Sequence, residues 1–324
     1  MNAMKPTNGV PTLDVIMYHY VRDLPKSDYP RLKAMMLDDF RSQVAWLAST
    51  CEMATMESAL EFLKGEYRPS RPLCLLTFDD GLKEHYNDVL PILAEHRIQG
   101  IFFLITRCLE EHLVAPVHMN HFLMAALEWG RYTAEFEEGL AAKGVKDTVL
   151  GVDAAKAART YPWDTPEVAR FKYLFNFVLN AETREPIVKD LFQRHLGAEN
   201  SFARELYLSW EEAREMQSSG MMMGGHSHVH SVLSKLSRPE LTEDLESCRH
   251  LLDERLHSQS FWPFCYPYGK SDAFDNDTVR KLKDLRFDCS FSTEAAANHP
   301  HMDRYAIRRI DCNVALRRQR DRAA

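Results

Sequence analysis

A chain of 324 residues exceeds an average domain, and suits one large α/β domain with an insertion as well as it suits two domains. With 45% hydrophobic and 27% charged residues it can build a large core, and nothing in that composition argues for disorder. A net charge of −7 disfavours nucleic-acid binding, the seven cysteines lack the paired spacing of a disulfide framework, and no stretch approaches the roughly 18 apolar residues of a membrane span.

Residues 1–13 read as a flexible N-terminus without the apolar core of an export signal, which together with scattered thiols points to a cytoplasmic protein. The first strand is predicted in DVIMYHYV (14–21), followed by a helical pattern in LDDFRSQVAWLAS (37–49). LCLLTF (73–78) and GIFFLIT (100–106) read as further strands, with the helical YNDVLPILAEHR (86–97) between them. GMMMGG (220–225), FWPFCYPYG (261–269) and FDCSFST (287–293) complete the apolar runs, and PELTEDLESCRHLLDERL (239–256) is a helix among them. Runs that are apolar on both faces and alternate with helices belong to a parallel sheet, in a barrel or in an open doubly wound arrangement.

Residues 108–208 interrupt this alternation and read as a helical insertion. Thr165 and Pro166 start one helix, with Phe171, Leu174, Phe175, Val178 and Leu179 on its apolar stripe. A second helix runs through IVKDLFQRHLG, and a third opens on a Ser209–Glu212 capping box and stops at Gly220. Such a stretch serves as a packed lid or wall more often than as a catalytic unit. The basic residues 313–324 read as a solvated C-terminal tail.

The chemistry concentrates where apolar runs end. TFDDG places Asp79 and Asp80 just beyond a strand, where α/β folds bind ligands. An aspartate there often caps a helix instead, but two adjacent buried carboxylates repel each other unless a cation or proton intervenes. GGHSHVHSVL carries His226, His228 and His230, and whether strand or helical turn, His226 and His230 fall on the same side. Two imidazoles and one carboxylate with an open position form a hydrolytic metal site, leaving the second aspartate as a base.

TFDDG and HSHVH together resemble the polysaccharide deacetylases, carbohydrate esterase family 4, with their NodB homology domain. The resemblance implies a distorted (β/α) barrel with few strands, built from residues 14–105 and 209–312 within a single domain of residues 14–312. It also implies Asp79 as general base, Asp80, His226 and His230 as ligands of one divalent metal, zinc before nickel, cobalt or iron, and His228 as a non-ligand. CYPYG (265–269), on its own a proline turn, is similar to the R-x-P-Y motif of that family, which implies that the Tyr268 backbone N–H holds an oxyanion. Cys265 stands where the family has the arginine that orients the base, so Arg309 or Arg308 in YAIRRID is expected to substitute. The late motif carrying an acid histidine is missing. His19 at the end of the first strand is the best-positioned replacement, with His299 and His301 as others, and a purely structural His19 competes with that role.

The activity so implied is removal of an N-acetyl or other N-acyl group from an amino sugar. In the cytoplasm the partner would be an N-acetylated sugar or sugar-nucleotide precursor of a surface glycan, with no nucleic acid. Hydrolysis of a small non-sugar amide is the alternative, and a carbohydrate-binding protein weakened in catalysis is another, prompted by Cys265.

Overall fold

The computed structural model describes residues 11–145 and 151–323, and most of the expected flexible N-terminus lies outside them. They divide into two compact units, one of residues 11–27, 33–113 and 203–323, the other of residues 28–32, 114–145 and 151–202. Among the described residues no helix is long and apolar enough to cross a membrane.

In the first unit the strands are β1 (Leu13–Tyr18), β2 (Val21–Arg22), β3 (Met35–Met36), β4 (Glu52–Met53), β5 (Leu73–Phe78), β6 (Gly100–Leu104), β7 (Met222–Gly225), β8 (Pro263–Cys265), β9 (Cys289–Phe291) and β10 (Ile310–Asp311). Seven of them pair in parallel in the order β10-β1-β5-β6-β7-β8-β9. β4 pairs with the first residues of β5 and β6 with its last three. A parallel bridge from Phe291 to Ile307, ahead of β10, curls the sheet into a distorted (β/α) barrel.

The interior follows from the two-residue period of a strand. Leu13 and Val15, Leu73 and Leu75, Ile101 and Phe103, with Phe291 and Ile307, meet in one buried cluster. The alternate residues Ile16, Leu76, Phe78 and Phe102 are equally buried, so both faces of these strands are covered, as near-continuous apolar runs require. Each such side chain contributes about 1.5–3 kcal/mol by leaving water.

Several expectations are corrected in detail. DVIMYHYV is not one strand: pairing stops at Tyr18, and His19 and Tyr20 turn the chain before β2. The helix expected at 86–97 begins as a wide π-helical turn, His85–Val89, and continues as Leu90–His96. The basic C-terminal stretch is a helix, Cys312–Ala323, rather than a solvated tail. Cys312, Ala315 and Leu316 are spaced to bury one stripe, and Gln319 and Arg320 bond Ser42 and Asp39. Helix Met56–Lys64, with its Thr55 capping box and left-handed Gly65, escapes the sequence reading.

The second unit is helical, with its core in the rings of Tyr132, Phe136, Phe171 and Phe175; Phe136 and Phe171 lie 5.2 Å apart. Thr165 caps helix Pro166–Tyr173 and Asn180 caps Ala181–Leu196. Val178 leaves the expected apolar stripe and is exposed, because residues Leu174–Val178 form a π-helical turn whose extra residue shifts the side-chain register of the stripe.

Candidate active site

Four strand ends and the approach to β10 supply the site. On β5 the inward residues are Leu73, Leu75 and Thr77, and the same period carries Asp79 inward; its N–H still donates to the Tyr18 carbonyl at 2.9 Å. Continued extension would send Asp80 to the opposite face. Instead Asp80 (φ 78°) and Gly81 (φ 65°) are left-handed, and the chain folds over the strand end. This backbone turn separates the two neighbouring carboxylates.

Asp80 thereby reaches the histidines that follow β7. Its Oδ1 lies 3.5 Å from His226 Nε2 and 3.6 Å from His230 Nε2, and the two ring nitrogens are 3.2 Å apart. All three side chains are buried. His226 Nδ1 donates to the Cys265 carbonyl at 2.8 Å, which leaves the Nε2 lone pair of a neutral ring facing the other two donors. Three converging lone pairs fit a cation: donors about 2.1 Å from a tetrahedral centre stand about 3.4 Å apart. His228 is turned away, with Nδ1 3.0 Å from Thr106 Oγ1.

Asp79 belongs to a different set of contacts. Arg309, with Ile307 on the inward face ahead of β10, sends its guanidinium across the barrel, Nη1 to Asp79 Oδ1 at 2.7 Å and Nη2 to Oδ2 at 2.8 Å. Its Nε donates to the Ser292 carbonyl and Nη1 to Thr77 Oγ1, so the fork is held in place. Burial pushes the Asp79 carboxyl up, yet Arg309, His19 and His226 together bring it down to about 2. Asp79 is therefore an anion at any working pH.

A sequence profile described as Polysaccharide deacetylase matches residues 66–157 and 174–290. The chain belongs to the polysaccharide deacetylase family. The Bacillus subtilis protein YxkH is 26% identical over 128 residues, 39% of this chain and 44% of that relative. The Streptococcus pyogenes deacetylase PplD is similar in structure, with a TM-score of 0.57 at 15% identity over 93% of this chain and 92% of that one. IcaB from Ammonifex degensii has a TM-score of 0.54 at 19% identity, covering 94% and 96% of the two chains. The deacetylase domain of BpsB from Bordetella bronchiseptica has 0.55 at 15%, covering 95% and 97%. The curled parallel sheet with its surrounding helices matches the NodB-type barrel of these structural neighbours.

Against the family pattern, the remaining sequence candidates sort clearly. Arg309 contacts Asp79, whereas Arg308 is exposed and its backbone N–H and carbonyl bond Asn298. Cys265 sits against the pair: its Sγ lies 3.0 Å from Arg309 Nη2 and 3.6 Å from Asp79 Oδ2. Burial pushes the Cys265 thiol up, so it stays neutral. Tyr268 is left-handed (φ 62°), its ring 5.1 Å from that of His230, and its carbonyl accepts from Thr293 Oγ1. His19 Nε2 stands 3.5 Å from Asp79 Oδ2 with 43% of its side chain exposed, suited to meeting a ligand.

His299 and His301 are corrected: both lie at the opposite end of the barrel. Asn298 pairs with Leu13, the first residue of β1, and the His301 N–H bonds Leu63. Six residues of strand, about 3.3 Å each, separate that end from the strand end before His19.

Two contributors escaped sequence reasoning. His85, buried between Phe78 and Phe102, donates from Nε2 to the His19 carbonyl at 2.9 Å, and burial lowers its pKa to about 4. Asp244 lies on the buried face of helix Arg238–Arg255 beneath the histidine loop. Its signal is a charge on the apolar stripe Leu241, Leu245, Cys248 and Leu252.

Proposed function

We propose that this protein is a metal-dependent hydrolase that removes an N-acetyl group from an amino sugar. The observation that carries the reading is the division of Asp79 and Asp80 between two partners, an arginine fork for one and two histidines for the other. Asp80, His226 and His230 would hold a divalent cation, with zinc favoured by the two-imidazole, one-carboxylate set. That ion, when bound, supplies polarisation of the acyl carbonyl and acidification of a water molecule.

The residues around it account for the rest of the reaction. Asp79 takes the proton from the attacking water; held at about 2 it is a weak base, but it is always ionised and its orientation is fixed by Arg309. The Tyr268 backbone N–H donates to the developing oxyanion, and His19 gives a proton to the departing amine. PplD was solved with acetate, the product this reading expects from its own substrate.

The substrate class follows from compartment. Seven buried thiols support a reducing, cytoplasmic setting, where an N-acetylated sugar or sugar-nucleotide destined for a surface glycan is the suitable partner. Hydrolysis of a small non-sugar amide by the same residues is the second reading.

Metal analysis of the purified protein, with acetate release measured on N-acetyl sugars, nucleotide sugars and simple amides, tests the proposal. Wild type should bind one zinc and release acetate. Asp79→Asn should keep the metal and lose about 10²–10⁴-fold in rate, while Asp80→Ala should lose both. Absence of stoichiometric metal, or equal metal loss in both variants, would overturn it.

A further inference from the structure

Between His226 and His230 the backbone adopts a shape the sequence does not favour. Ser227 (φ 62°) and His230 (φ 59°) are both left-handed without being glycine, and a non-glycine residue there is strained. Something must hold the loop in place, or His230 would swing away from His226.

The contacts identify the clamp. Asp244 Oδ1 accepts from the His228 N–H at 3.1 Å and Oδ2 from the Val229 N–H at 3.0 Å. Two successive N–H groups converging on one anion form a backbone nest, and charge-assisted bonds of this kind are stronger than neutral ones. The neighbouring turn is fastened from two other sides: Ser227 Oγ accepts from the His230 N–H at 2.8 Å, while Thr106 and Arg107 donate to the Ser227 and His228 carbonyls.

We infer that Asp244 is the positioning residue of the histidine loop, holding residues 227–229 in the conformation that presents His226 and His230 to Asp80. It touches none of the three metal-site side chains in any hydrogen bond described above and acts through the backbone between them. If packing alone were required, this position on the apolar stripe would suit leucine, because a buried carboxylate is costly unless its oxygens are satisfied. An asparagine would not serve equally, since it has one acceptor oxygen and its NH₂ would face an N–H donor.

The inference rests on the metal reading above, and zinc affinity measured by competition with a chromogenic chelator tests it. Asp244→Asn should bind zinc about 10–100-fold more weakly than wild type, the usual effect of losing an outer partner of a metal site. Asp14→Asn, which alters a buried carboxylate remote from the loop, should bind as wild type does. Wild-type affinity in Asp244→Asn, or equal weakening in Asp14→Asn, would overturn the inference. A wild type that binds no zinc would instead overturn the metal reading beneath it. Hydrogen exchange on the wild-type protein covers the case in which Asp244→Asn fails to fold. The His228 and Val229 amides should be protected, and exchange at unprotected rates would overturn the clamp.

Discussion

Arg309 and Asp79, 230 residues apart in the chain, meet in a buried two-pronged ion pair. Truncating the arginine would strand a buried carboxylate, and Arg309→Met is expected to cost about 3–5 kcal/mol in urea unfolding. Arg309→Lys keeps the charge but loses the planar fork; kcat should fall by about 10²-fold with zinc affinity unchanged. An Arg309→Lys enzyme with wild-type kcat would remove Arg309 from the orienting role.

Cys265 and Arg309 are adjacent, so the cation could enter from either position. Arg309→Ala should be nearly inactive, and adding Cys265→Arg to it should restore part of the rate by returning a guanidinium to Asp79. The single change Cys265→Arg should destabilise, by at least the 1–3 kcal/mol or so typical of overpacking, because the guanidinium of Arg309 already fills that space. A double variant no better than Arg309→Ala would mean that the two positions do not reach Asp79 equivalently.

His19 is half exposed, so His19→Gln should leave stability within about 0.5 kcal/mol of wild type. Its proposed proton goes to the leaving amine, and kcat should drop by about 10²-fold or more on an alkyl amide. The loss should shrink on an anilide bearing a nitro group, whose amine departs with little help. An equal loss on both substrates would count against an acid role.

Asp14 offers a test away from the site. Among the described residues its two buried oxygens have no hydrogen-bond partner, and burial raises its pKa to about 7, partly offset by Arg318. Between about pH 4 and 7 the folded chain then binds more protons than the unfolded one, so this group makes stability fall as pH rises. From pH 5 to 8 wild type should lose about 2–3 kcal/mol more than Asp14→Asn in urea unfolding. Parallel pH profiles for the two proteins would show that Asp14 ionises normally.

The parts of the site that depend on neighbours in sequence were legible there. Asp79, Asp80, His226 and His230 lie in short motifs at the ends of apolar runs, and residue type with strand position suggested their joint chemistry. The choice between Arg308 and Arg309 turns on strand parity. Ile307 is apolar and inward, and the same two-residue period selects Arg309, a signal present in YAIRRID. The contact of Cys265 with Arg309 was not readable, because it depends on how far the sheet curls, a sum of twists over many residues. Likewise Val178 left its stripe through a π-helical turn that no periodicity in the sequence announces.

The buried pair also has a meaning for synthesis. Chains emerge from the ribosome N-terminus first, at about 5–20 residues per second, so β5 and Asp79 are available many seconds before Arg309. Until then the interior around Asp79 holds a carboxylate with no cation, and protonating or hydrating it is cheaper than burying it. The barrel mouth is therefore expected to stay wet and open on the nascent chain, and to seal only when translation has passed residue 309.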